Sequence, residues 1–353
     1  MDKIYLYLAS GQVFEGTAFG ARKQVVGQLV FNTAMGGDMT LLTDECYEGQ
    51  IVVDTFPAFG NFGVNSDVEG KDSYVKAVLV REVCDKPSNF RSVGCVSKLM
   101  EERGIVGMAG LDTRHLTKII RDNGSVNALI TSSPSLDDEQ KALLEGYDPT
   151  TSIKGRGISK AGQIIGKGDK VCLIDLGETY DIADSLTAKG MSVEIMSADA
   201  TAEQILEAKP VGVVWSSGSD RVSDYDQVVQ TVATVGKSLP MLGIGLGHKL
   251  MALSCGAKLD NMKYGHHGSN QPTKKLDTGR LFVTYQNHNT DLDLSDAKGV
   301  KATFVNVNDG SVEGLEYDCY KAISTEFLPS FNGGPIATDF IYDQFINLIK
   351  ENR

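Results

Sequence analysis

Gly243-Ile-Gly-Leu-Gly-His-Lys249 is the stretch whose residue types and spacing come nearest to chemistry. It is a glycine-dense turn between an apolar strand-like run and a helical one, and three readings compete for it. A dinucleotide fingerprint needs Gly-x-Gly-x-x-Gly, but counting from Gly243 puts His248 at the third position, and no ribose-holding acid follows in a βαβ-sized unit. A plain tight turn would use the glycines for backbone geometry alone. A nucleophile elbow would present a strained residue beside helix N–H groups that can hold an oxyanion. Elsewhere, His266-His267 and His288 lack the Glu-x-x-His type of spacing that a metal centre shows, so they read as hydrogen-bonded loop histidines and no metal is expected. Lys249 reads as a buried base or as a solvated or salt-bridged side chain. Trp215, the single tryptophan, reads as core or pocket wall.

The elements that must position these residues follow from periodicity. In the second half, Val171–Leu176, Ser192–Met196, Val211–Trp215 and Met241–Ile244 are apolar strands. They alternate with helical stretches that end at Lys189 or span Ala202–Ala208, Asp224–Val235 and Leu246–Ser254. Such alternation predicts a parallel sheet covered on both faces, with ligands beyond the carboxyl ends of the strands, just after Ile174, Trp215 and Ile244. The chain then turns β-rich (Leu281–Tyr285, Val300–Val305, Ala322–Phe327) and closes with a helix, Ile341–Lys350. The first half shows strands at Lys3–Leu8, Gln28–Asn32, Gln50–Thr55 and Val75–Val83, and helices near Val96–Arg103 and Thr113–Asp122, with Thr113 as candidate cap. Between them lies a Ser-, Gly- and charge-rich stretch. The predicted organisation is a mixed α/β domain over 1–132, a linker over 133–169 and an α/β domain over 170–353.

Composition bounds the function. At 353 residues, two domains are expected, and 41% hydrophobic with 23% charged residues lets each bury a core. The net charge of −12 disfavours a dedicated nucleic-acid binder, whose affinity rests on neutralising phosphates. No stretch approaches the roughly 18 apolar residues of a membrane helix, and the alternating start Met1–Ser10 reads as a strand rather than a signal peptide. The six cysteines (46, 84, 95, 172, 255, 319) include no Cys-x-x-Cys, which fits reduced, mostly buried thiols in a cytoplasmic protein.

The turn at 243–249 resembles the Gly-Ile-Cys-Leu-Gly-His-Gln elbow of class I glutamine amidotransferases, and the likeness runs on through Leu250–Lys258 to Met262-Lys-Tyr-Gly-His-His-Gly-Ser-Asn270. The first half carries texts of one branch, the carbamoyl-phosphate synthetase small-subunit family. These are Val30-Phe-Asn-Thr-Ala-Met35, Leu42-Thr-Asp, Gly49-Gln-Ile-Val, Gly60-Asn-Phe-Gly-Val-Asn65, Ser88-Asn-Phe-Arg91 and Asp112-Thr-Arg-His-Leu-Thr-Lys-Ile-Ile-Arg121. The resemblance implies an N-terminal mixed α/β small-subunit domain followed by a class I amidotransferase-like parallel-sheet domain. It also implies a large synthetase subunit as partner, in arginine or pyrimidine biosynthesis. ATP and magnesium would sit on that partner, since no Walker-type text occurs here, and this chain would hold no cofactor of its own.

In that family a Cys attacks the glutamine amide, a His moves the proton and a Glu orients the His. The matching positions are Gly245, Leu328 and Ser330, the last two counted back from Asp343-Gln-Phe-Ile-Asn-Leu-Ile349. None can do those jobs. The family's glutamine pocket maps to Cys46, Gly218, Asp220, Leu246, Lys249, Asn287, Asn289 and Thr290. Of these, Leu246, Gly218 and Asn287 match the family, while Cys46, Asp220, Lys249, Asn289 and Thr290 replace Ser, Gly, Gln, Gly and Phe. Two functions are therefore expected: a non-hydrolysing structural or regulatory partner of the large subunit, or a reshaped pocket that takes a different small polar ligand.

Overall fold

Strand-forming residues close on themselves in the first part of the chain. In this computed structural model, which describes residues 2–66, 72–177, 180–330 and 336–352, seven strands form a closed barrel. Their order is Lys3–Leu8, Val13–Gly20, Val106–Ala109, Ala77–Leu79, Gln50–Asp54, Val25–Asn32 and Val126–Thr131, which returns to the first. Closure leaves no unpaired sheet edge. Strand Gln50–Asp54 runs parallel to its neighbours Val25–Asn32 and Ala77–Leu79, and the other contacts are mostly antiparallel. Val30, Val52 and Val78 form one core with Met39, Leu42, Val96 and Met100 of the helices Asp38–Thr43 and Val96–Glu102. The barrel strands Val13–Gly20, Val106–Ala109 and Val126–Thr131 were not among the expected elements. The expected strand Val75–Val83 is two, Ala77–Leu79 and Glu82–Val83. Asp112, not Thr113, caps the helix Thr113–Asn123, its carboxylate accepting the His115 N–H at 3.0 Å.

The chain divides into two units, Met1–Thr150 and Thr151–Arg353. Residues 133–169 are shared between them. The helix Asp138–Glu145 places Leu144 against Tyr7 and Leu129 of the first unit. Further on, Arg156 is buried in the second unit, where it donates to the Leu176 carbonyl at 2.9 Å and the Ser152 carbonyl at 3.0 Å, and Ile164–Gly166 adds a strand to that unit's sheet.

The second unit is built on a ten-stranded sheet. Met191–Ser197, Asp169–Asp175, Gly212–Trp215, Met241–Ile244 and Ala322–Thr325 run parallel in that order. Val312–Tyr317, Val300–Asn306, Lys258–Lys275 and Leu281–Asp293 continue it antiparallel. The parallel strands are apolar on both faces because both are covered. Trp215 packs with Val228, Val232, Leu250 and Met251 on one side, and Leu173 with Ile182, Leu186, Phe345 and Ile349 on the other. The helix expected to end at Lys189 spans Tyr180–Ala188. Among the described residues, no helix is long and apolar enough to cross a membrane.

Candidate functional site

Gly245 sits where Met241–Ile244 ends and Leu246–Ser254 begins, at φ 54° and ψ −111°. Side chains rarely adopt that backbone, and glycine does so without the Cβ penalty. Its N–H donates to the Thr325 carbonyl at 2.9 Å and its carbonyl accepts from Lys249 N at 3.2 Å, so the turn is clamped on both sides. A Cβ added there would lie 2.3 Å from Ser217 Oγ. The geometry is that of a nucleophile elbow, with nothing presented at its apex.

One helical turn further on, Lys249 is fully buried, at 1% exposure. Its Nζ donates to Glu326 Oε1 at 2.8 Å and to Asp220 Oδ2 at 3.2 Å. Asp220 also accepts from Asn289 N and Thr290 N, both at 2.7 Å, and from Thr290 Oγ1 at 2.8 Å. Four segments are thereby tied together: the loop after Gly212–Trp215, the elbow helix, the strand Leu281–Asp293 and the end of the strand Ala322–Thr325. Asp220, Lys249, Asn289 and Thr290 form one hydrogen-bonded cluster. Gly218 approaches the Leu176 carbonyl so closely that a Cβ would lie 2.2 Å from it, and Leu246 is core. Asn287 Oδ1 accepts from His267 Nδ1 at 2.7 Å.

Burial opposes charge throughout this cluster, and the partners decide the outcome. Burial pushes Asp220 up, but Lys249 and the N–H and O–H donors outweigh it and hold the carboxylate below its usual range. Burial also opposes the Lys249 ammonium, and Glu326 and Asp220 together keep it firmly charged. With one cation facing two acids and four donors already on Asp220, the second acid carries the cost: burial pushes Glu326 up to about 8. Burial lowers His248 to about 3 and His267 to about 4, and takes His288 well below its ordinary value. The charged Lys249 ammonium therefore has no free lone pair with which to act as base or nucleophile.

Leu328 is buried and bridges Tyr285, and Ser330 Oγ lies 2.7 Å from Ser185 Oγ. Leu328 follows Thr325, whose carbonyl holds Gly245, by three residues. Cys46 belongs to the first unit, buried in the turn Glu45–Tyr47 with its N–H on Asp44 Oδ1 at 2.8 Å. Trp215 is core, its Nε1 3.3 Å from Met241 Sδ.

Glu326 escaped the sequence reading. Its signal was an acid set within the expected strand Ala322–Phe327, where a buried carboxylate needs a partner. The histidines are not on loops. His266 and His288 face each other across paired strands, and one ligand atom from each lies with one from Glu313 inside a 4.8 Å cluster. His266 is committed to Asp309 at 2.8 Å, and although burial opposes its charge, Asp309 and Glu313 push it up to about 9. The thiols are less buried than expected: only Cys46 and Cys172 are buried, and Cys319 is exposed.

Residues 6–130 match the family model for the carbamoyl-phosphate synthase small chain, CPSase domain, and residues 172–348 match that for class-I glutamine amidotransferase. Relatives extend over the full chain. The carbamoyl phosphate synthase small chain of Fusobacterium nucleatum is 35% identical over 351 residues, 98% of each chain. The pyrimidine-specific small chain of Bacillus subtilis is 34% identical, covering 98% of this chain and 95% of its own, and the small chain of Archaeoglobus fulgidus is 36% identical, covering 99% and 100%. Among solved structures, a glutamine amidotransferase from Thermotoga maritima matches 52% of this chain and 85% of its own at 19% identity, with a TM-score of 0.37.

Proposed function

Because this chain belongs to the carbamoyl phosphate synthase small-chain family, we propose that it is a member without glutaminase activity, which serves as structural or regulatory partner of a large synthetase subunit. The complex would make carbamoyl phosphate from free ammonia, in the cytoplasm, for arginine or pyrimidine synthesis. ATP, bicarbonate and magnesium would bind the large subunit, and this chain would hold no cofactor.

One observation carries the reading. The Lys249 ammonium is fully buried between Asp220 and Glu326, at 3.2 and 2.8 Å, in the segments that hold glutamine in the resembled family. A substrate amino acid would have to break that network and leave buried charges unpaired, which costs about 3–5 kcal/mol. Beside it the three chemical positions hold Gly245, Leu328 and Ser330. Loss of a nucleophile in such a relay costs on the order of 10⁴–10⁶ in rate, and here the acid–base partner is missing as well.

The test is glutamate release by the purified chain, alone and with its cognate large subunit. No release above a heat-killed control is expected, while ammonia-dependent carbamoyl phosphate synthesis by the complex persists. Release that a thiol alkylator abolishes would overturn the proposal.

A further inference from the structure

Cys255 closes the elbow helix at its C-terminal end, and Cys319 lies in the turn between Val312–Tyr317 and Ala322–Thr325. Sixty-four residues apart in sequence, their sulfurs are 3.1 Å apart. The backbone holds them there. Lys298 N–H donates to the Cys255 carbonyl at 3.0 Å, while the neighbouring Gly299 carbonyl accepts from Asp318 N at 2.8 Å and Cys319 N at 3.4 Å. Two consecutive residues thus pin both cysteines. Cys319 is exposed and Cys255 is half-buried behind it, beside the Ser254 and Tyr320 hydroxyls. An S–S bond of about 2.05 Å needs only a small approach of the two sulfurs.

We propose that Cys255 and Cys319 form a reversible intrachain disulfide through exchange with a low-molecular-weight disulfide, which clamps the elbow helix to the strands beside it. The exposed Cys319 thiolate attacks one sulfur of the small disulfide, whose S–S bond breaks and releases one small thiolate. Cys255 then gives its proton to solvent and attacks the Cys319 sulfur, expelling the second small thiolate. The two protein thiols are oxidised by two electrons and the small disulfide is reduced to two thiols. Burial pushes the Cys255 thiol up, so closure speeds about tenfold per pH unit as the thiolate fraction grows.

The bond would act on the site already described. Three consecutive residues of the strand end, Ser324, Thr325 and Glu326, hold His248, Gly245 and Lys249 of the elbow and its helix. The inference does not depend on whether the chain hydrolyses glutamine.

The experiment treats the reduced full chain with oxidised glutathione and follows intact mass and cysteine peptides. Expected is a chain two hydrogens lighter, without adduct, a peptide joining residue 255 to 319, reversal by dithiothreitol and a melting temperature several degrees higher because a long loop is closed. Cys255→Ser should instead keep one glutathione on Cys319. The rate of adduct loss in the wild-type chain should climb about tenfold per pH unit between pH 7 and 9. A stable wild-type adduct, full alkylation of both thiols after oxidation, or a cross-link to another cysteine would overturn the proposal.

Discussion

Replacing Gly245 by cysteine restores the atom the elbow is shaped to present and should harm the protein without reviving it. At φ 54° and ψ −111° any side chain is strained, by roughly 1–3 kcal/mol. The new Cβ would also stand 2.3 Å from Ser217 Oγ, which must swing away. For a unit of this size each kcal/mol moves the melting temperature by about 2–4 °C, so a fall of roughly 2–12 °C is expected. Gly245→Ala should fall equally, because strain and crowding both come from the Cβ. The thiol would have no base, since Leu328 cannot take its proton and Ser330 cannot orient one. Adding Leu328→His and Ser330→Glu would rebuild the relay, yet Lys249 would remain locked between Asp220 and Glu326. Scanning calorimetry and a coupled glutamate assay read both effects. An unchanged melting temperature would refute the strain argument, and robust turnover by the triple variant would refute the closed pocket.

Lys249→Met should cost about 3–5 kcal/mol in denaturant unfolding because it strands buried acids, whereas Lys249→Met with Asp220→Asn and Glu326→Gln should return to near wild-type stability; equal losses would show that packing, not charge, governs the site. In the first unit, burial and the adjacent Asp38 push Asp54 up to about 8. Between the unfolded value near 4 and that figure the native state alone keeps the proton, so stability should fall as pH rises through this window, by up to about 1.4 kcal/mol per unit, and level off above it. Asp54→Asn should flatten that slope, and a slope unchanged in urea titrations from pH 5 to 8 would disprove the assignment. Mixed with a cognate large subunit at micromolar concentration, the chain should elute as a larger species in gel filtration, since permanent hetero-complexes bury about 2,000 Å² or more; separate elution would favour a reshaped pocket acting alone.

Local order was legible wherever it is written in adjacent residues. The strand Met241–Ile244 and helix Leu246–Ser254 have the bounds their periodicity implied, because a glycine that tolerates positive φ separates them. The continuous apolar runs of the second unit announced strands buried on both faces. By contrast, the eighteen-residue strand Lys258–Lys275 went unread: its polar, histidine-rich sequence has no clean alternation, and its register with Leu281–Asp293 is broken by irregularities. Barrel closure was equally hidden, since the partners of short strands such as Val106–Ala109 lie far along the chain.

For the site, the same line divides identity from arrangement. Residue types alone determined that no thiol stands at 245 and no base at 328, and that charged groups had entered the segments around them. That Lys249 is neither solvated nor a free base was decided by Asp220 and Glu326, 29 and 77 residues away. Likewise, six scattered cysteines became one contacting pair only when the turn after Tyr317 met the end of the elbow helix. A side chain's chemistry is set by its own atoms, but its charge state and partners depend on burial and on contacts between distant segments, which no local spacing encodes.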